Sequence, residues 1–177
     1  MEPNSEVVVV EIECLRGIDS KLVIRELAVA HRDCVECYQF LPPQQKEPPE
    51  ARIHNSWIKR NLNGLSWSMG YIPYEYLPII LRRISRRFDK IYIKGLEKKT
   101  MLSNILGSSN QIIDLDSISA PKYKDLKQEL SAKCVFHFGN NKQCALDKSL
   151  KFYMWLLRKK IEESTTAPEA MDEENWH

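Results

Sequence analysis

Val7-Val8-Val9-Val10-Glu11-Ile12-Glu13-Cys14 is the stretch on which the fold turns. A β-branched run this apolar, closed by the turn residues Arg16-Gly17-Ile18-Asp19, reads as a central strand buried on both faces. Working outward, Leu22 to Ala30 forms a second strand, interrupted by charge at Arg25 and Glu26. Cys34 to Leu41 forms a third, ending at Pro42-Pro43. Such close spacing predicts an antiparallel meander. Pro42 to Glu50 reads as a loop. A helix is expected over about Glu50 to Leu62, with Trp57, Ile58 and Leu62 on its inner face. Residues 63–70 are loop-like but apolar, so they should pack down. Pro73 precedes a helix from Tyr74 to Phe88, a place where a first turn accepts proline. A strand at Lys90 to Lys94, a helix at Leu96 to Leu106, a strand at Gln111 to Leu115, a small helix near Lys122 to Leu130 and a helix from Ala145 to Glu162 complete the order.

Three antiparallel strands followed by strands separated by helices predict a mixed sheet with helices on both faces. The RNase H-like fold has this α/β layout, and so do few other small α/β domains. With 177 residues, 43% hydrophobic and 28% charged, the chain is expected to be one globular domain over 1–162, followed by a disordered acidic tail over 163–177. No apolar run reaches membrane-spanning length and the first residues are acidic, so a soluble protein without a signal peptide is expected. Five cysteines without export features point to thiols or metal ligands rather than disulfides. The net charge of +2 excludes little by itself.

Chemistry is expected at the end of the first strand. Glu11 and Glu13 share a strand face because side chains alternate with period two. Paired carboxylates there are what two-metal phosphodiester hydrolysis uses. The local text resembles the opening of a DEDD-type exonuclease, with Glu in place of the first Asp. The resemblance fails further on, because the register that should carry His and Asp on the last helix places Gln143 and Lys148 there. Asp147 lies about 100° round the helix from that position. Glu11 and Glu13 are thus weak catalytic candidates, and a solvated strand face is the alternative.

Cys134-Val135-Phe136-His137 followed by Cys144 sets three soft ligands in a Cys-x2-His-x6-Cys spacing, the pattern of a Zn²⁺ site whose fourth ligand is distant in sequence. Cys34 and Cys37 form a rival pair, and a site without metal leaves Cys134 and Cys144 as small buried hydrophobes. Arg82, Arg83, Arg86, Arg87, Lys90, Lys94, Lys98 and Lys99 concentrate positive charge in one helix, strand and helix, the footprint of phosphate binding. Trp67, Tyr71, Tyr74 and Tyr76 are candidates for stacking on single-stranded bases, with core packing expected for at least two of them.

Glu26, within Arg25-Glu26-Leu27-Ala28, together with Cys134, His137 and Cys144, resembles the Glu-Cys-His-Cys zinc set of the Maelstrom domain. The loop Asn63-Gly64-Leu65-Ser66-Trp67, the strand Ile91-Tyr92-Ile93-Lys94-Gly95 and residues 134–146 are similar to those of Maelstrom-like arthropod proteins of unassigned function. The resemblance spans about Val7 to Leu157. It implies an RNase H-like fold, a structural Zn²⁺ on Glu26, Cys134, His137 and Cys144, and binding or cleavage of single-stranded RNA. It also implies piRNA-type silencing of transposons in the germline, with silencing-pathway proteins as partners, in the nucleus or in cytoplasmic perinuclear granules. Asn63 departs from the related loop, which carries His. A catalytically dead scaffold for protein interaction is the alternative, and salt-sensitive binding of RNA separates the two.

Overall fold

The computed structural model describes residues 6–32, 34–108, 110–126 and 131–166. Its centre is a five-stranded mixed sheet in the order β3-β2-β1-β4-β5. The strands are β1 (Val7–Arg16), β2 (Leu22–Ala30), β3 (Val35–Gln39), β4 (Lys90–Ile93) and β5 (Ile112–Asp114). β1, β2 and β3 form the antiparallel meander, while β4 and β5 add in parallel to β1. This is the RNase H-like arrangement expected from the sequence. The helices are α1 (Arg52–Ile58), α2 (Leu77–Arg87), α3 (Leu96–Leu106) and α4 (Ala145–Thr166).

Alternation along β1 divides the core. Val8, Val10 and Ile12 join Ile24, Leu27 and Val29 of β2 under α2 and α3. Val9 joins Ala30, Tyr92, Phe152, Tyr153 and Leu156 under α4. By the same period, Glu11 and Glu13 lie on the α4 face with Val9. A register shift after Glu13 sets Cys14 opposite Ile24, so Arg25 of β2 is the bulged residue. Its guanidinium is buried, donates to the carbonyls of Phe40 and Met69, and lies over the Trp67 ring. Burial lowers its pKa to about 10. The bulge thereby ties down the apolar 63–70 loop, where Leu65 and Trp67 are buried.

Three expectations need correction. The segment before that loop is a single α-helical stretch of seven residues, preceded by a 3₁₀ turn (Pro49–Ala51) and followed by a π turn (Lys59–Asn63). Its inward residue is Asn55, whose amide brackets the backbone of Arg16, so it docks by hydrogen bonds and leaves Trp57 exposed. Of the helix expected near Lys122 to Leu130, the described residues form a 3₁₀ turn, Tyr123–Asp125, held by Asp147, and residues 127–130 lie outside them. α4 runs to Thr166, past the expected tail boundary, because Ser164, Thr165 and Thr166 bond back to carbonyls of the preceding turn. The rest of the tail, 167–177, lies outside the described residues. Lys94 lies against Asp116 and Lys98 against Glu11, as detailed below. No helix among the described residues is long and apolar enough to cross a membrane.

Candidate metal centre

Glu26 sits mid-strand on β2 with its side chain fully buried, an expensive position for a carboxylate unless it is paired and hydrogen-bonded. One oxygen, Oε1, accepts the backbone N–H of Ala145, the first residue of α4, where the helix dipole favours an anion. The other, Oε2, faces Cys134 Sγ at 3.2 Å, His137 Nε2 at 2.8 Å and the Gln39 amide. Cys134 and Cys144 lie with sulfurs 3.7 Å apart. The four ligand atoms of Glu26, Cys134, His137 and Cys144 all fall within 4.8 Å of one another. β2, a loop and the start of α4 thus converge on one point, although Glu26 and Cys144 stand far apart in the chain.

These donors fit a zinc ion on four counts. Sulfurs about 3.8 Å apart are what two Zn–S bonds of about 2.3 Å at a tetrahedral angle require. His137 Nδ1 bonds the Asn63 carbonyl, which fixes the tautomer and leaves the lone pair of Nε2 facing the cluster. Nε2 is buried with Glu26 Oε2 2.8 Å away, so a metal ion held by the four residues would take the place of a proton between these two. Two thiolates, an imidazole and a carboxylate are also the donor types zinc prefers.

Without a metal, the cluster holds its protons. The hydrogen bond that it donates to Cys134, then burial, raise the Cys144 thiol. Cys134 is raised too: the bond from Cys144 pulls it down, but Cys37, burial and Glu26 outweigh that. Burial alone would lower His137, yet Cys144 and Glu26 push it up to about 10. Burial would raise Glu26, and His137, Gln39 and Cys134 hold it below its ordinary value.

Gln39 is a supporting residue that the sequence did not single out. It shares a β3 face with Cys37 and bridges Glu26, Cys37 and Cys134. The rival pair is split: Cys37 stands beside this cluster, while Cys34 is exposed and meets His31 at 3.2 Å. His31, Cys34 and Glu36 form a second group of donors at the β2–β3 turn.

The exonuclease-like carboxylates lie close by, and lysines close them. Glu11 accepts the backbone N–H of Lys94 and the Nζ of Lys98 at 2.6 Å. Glu13 accepts the Nζ of Lys148 at 2.7 Å, and Lys148 also donates to Gln143. Burial would lower Lys98, but Glu11 and Glu13 hold it above the ordinary lysine range. The ammonium of Lys148 occupies the place for which the exonuclease register predicts an Asp. A cleft of about 340 Å³ opens here, lined in part by Glu13, Asn63, Lys98, Lys148, His54 and Trp57. Asn63 joins the two centres: its amide reaches Glu13 and the Cys14 carbonyl, and its own carbonyl takes His137.

The cationic candidates separate into two groups. Arg82, Arg83, Arg86, Arg87 and Lys90 are exposed on α2 and the start of β4. Lys94 pairs with Asp116, Lys98 with Glu11, and Lys99 is half-buried. Lys90 is level with Val7, six residues and about 20 Å along the strand from Glu13, so Lys90 and the cleft lie towards opposite ends of the sheet. Of the aromatic candidates, Trp67 is buried and Tyr74 packs against the core, whereas Tyr71 and Tyr76 are exposed.

No family model matches the sequence, and no curated protein matches it. Among solved structures, the chain is similar to one described as 3'-end specific recognition of histone mRNA stem-loop by 3'-exonuclease, with a TM-score of 0.52 and 11% identity. The match covers 87% of this chain and 63% of that one, so the chain spans less than two thirds of that protein. At this identity the likeness shows the fold, an RNase H-like mixed sheet.

Proposed function

We propose that this chain is a zinc-stapled RNase H-like domain that binds single-stranded RNA and does not hydrolyse it through Glu11 and Glu13. One arrangement carries the reading: a complete Glu-Cys-His-Cys donor set beside an exonuclease-type carboxylate pair whose charges are already met by Lys98 and Lys148. A lysine ammonium satisfies a carboxylate but cannot polarise a phosphate or generate hydroxide as a metal ion does. Metal-assisted hydrolysis is closed at the two carboxylates that would perform it, which leaves the fold's surface to bind. Glu26, Cys134, His137 and Cys144 would hold the zinc, which supplies no chemistry here beyond joining β2 to α4.

RNA as the ligand is supported by three things. The solved neighbour recognises an mRNA stem-loop. Arg82, Arg83, Arg86 and Arg87 give α2 an exposed cationic face. The grouping of Glu26, Cys134, His137 and Cys144 is the donor set that the Maelstrom resemblance implies. On that resemblance we assign the chain to piRNA-type transposon silencing in the germline, with silencing-pathway proteins around it, in perinuclear granules or the nucleus.

A second reading, a scaffold for protein interaction, is favoured by Ile53 and Trp57, exposed one turn apart on α1. The deciding experiment is fluorescence anisotropy with a labelled single-stranded RNA at low and high salt. RNA binding predicts affinity that falls steeply with salt and weakens on reversing the four arginines to Glu. A scaffold predicts no binding under either condition.

A further inference from the structure

Two segments of the surface combine aromatic rings with cations and carry no carboxylate at all. Neither 56–73 nor 131–146 contains Asp or Glu, in a chain with 24 acids. They pack on each other: Phe138 N–H donates to the Gly64 carbonyl, Gln143 N–H to the Leu62 carbonyl, and Lys142 Nζ to the Arg60 carbonyl. Gly64 sits at φ 66°, and a Cβ there would lie 2.5 Å from the Phe138 carbonyl oxygen, so glycine is what allows the approach.

His137 points into the buried cluster, and its neighbours in the chain turn the other way. Phe138 is 59% exposed, with Lys59 Nζ 5.9 Å from its ring centre. Phe136 lies against Tyr71, itself 59% exposed, with ring centres 6.0 Å apart and planes tilted by 32°. Large rings left in water on a braced loop mark a contact surface rather than a core. Rings interleaved with cations and free of acids suit a single-stranded nucleic acid, whose unpaired bases stack while its phosphates seek positive charge.

We propose that Tyr71, Phe136 and Phe138 stack bases of single-stranded RNA and that Lys59, Arg60 and Lys142 hold the adjoining phosphates. This rests on the RNA-binding reading above and locates where the bases sit. The arginine face of α2 then attracts the strand at long range, and the loop carrying His137 seats it. The loop needs the bracing of the Glu26 cluster, because a stacking platform must not move with the base.

The test uses the full chain, purified without chelator, and a labelled oligouridine. Tyr71→Ala and Phe138→Ala should each weaken binding about 5- to 150-fold, with thermal midpoint and metal content unchanged. Phe138→Trp should retain affinity and show emission quenched by RNA beyond any quenching of the native tryptophans. Both alanine variants binding like wild type, or a duplex of the same length binding as tightly as the single strand, would overturn the platform. Binding abolished by reversing the arginines yet untouched by the alanines sinks the platform and leaves the RNA reading intact. A wild type that binds no single-stranded RNA removes both.

Discussion

Lys148 and Glu13 are an ion pair of which each partner is nearly sealed from water, with side chains 10% and 8% exposed. Removing one side strands the other. Lys148→Ala should therefore destabilise the fold by about 3–5 kcal/mol, read as a shift of the urea midpoint. Joining it with Glu13→Leu should recover most of that loss, since an apolar replacement of both partners leaves no uncompensated charge. A double variant as unstable as the single one contradicts the pairing. Asp147 gives a pH signature of its own. Burial would raise its carboxyl, but Lys151, the Tyr123 hydroxyl and the Ala132 N–H hold it below the ordinary range. A depressed folded pKa stabilises above the unfolded value of about 3.9 and is lost as pH falls through the lower folded value. Acid unfolding should therefore show wild type more stable than Asp147→Asn near neutrality, with the gap closing only at strongly acidic pH. A gap that persists there excludes the ionised carboxylate as its cause.

At the scale of elements, β2 (Leu22–Ala30) and α3 (Leu96–Leu106) fall where the sequence alone sets them. A long apolar run between turn signals states its own limits. β1 extends to Arg16, beyond the apolar run, because its last residues still pair with β2. What local sequence cannot express is contact across the fold. Lys98 and Glu11 are 87 residues apart, and nothing near either names the other. Lys148 was legible only because the exonuclease register assigns its place on the helix a role. The π turn at Lys59–Asn63 was invisible, since its residues have no common period and it exists to set Asn63 between two centres. The Glu26 set was readable in part: Cys134, His137 and Cys144 declare themselves by spacing, whereas Glu26 came only through resemblance. The same elements predict how metal removal acts. Chelation should raise amide exchange in 131–146 and in the 59–70 segment that packs on it, while the central strands β1 and β4 keep their protection. Uniform loss across the sheet, measured by hydrogen-exchange mass spectrometry, would mean the cluster supports the whole core rather than one corner.

The described residues form an RNase H-like sheet in which Glu11 and Glu13 are met by lysines, with exposed positive charge on α2 and on the loops around His137. Magnesium should therefore bring no exonucleolytic shortening of RNA ends. RNA affinity should fall with salt, and the slope of log K against log salt should flatten when Arg82, Arg83, Arg86 and Arg87 are reversed. A slope left unchanged would place the phosphate contacts elsewhere. Both properties depend on one structural claim, that a metal joins β2 to the start of α4 through Glu26. The most direct test is metal content of protein purified without chelator, for wild type, Glu26→Ala, His137→Ala and Cys37→Ala. The account predicts one zinc per chain in wild type and in Cys37→Ala, and none in the other two. Zinc absent from wild type, or lost with Cys37 alone, would contradict it.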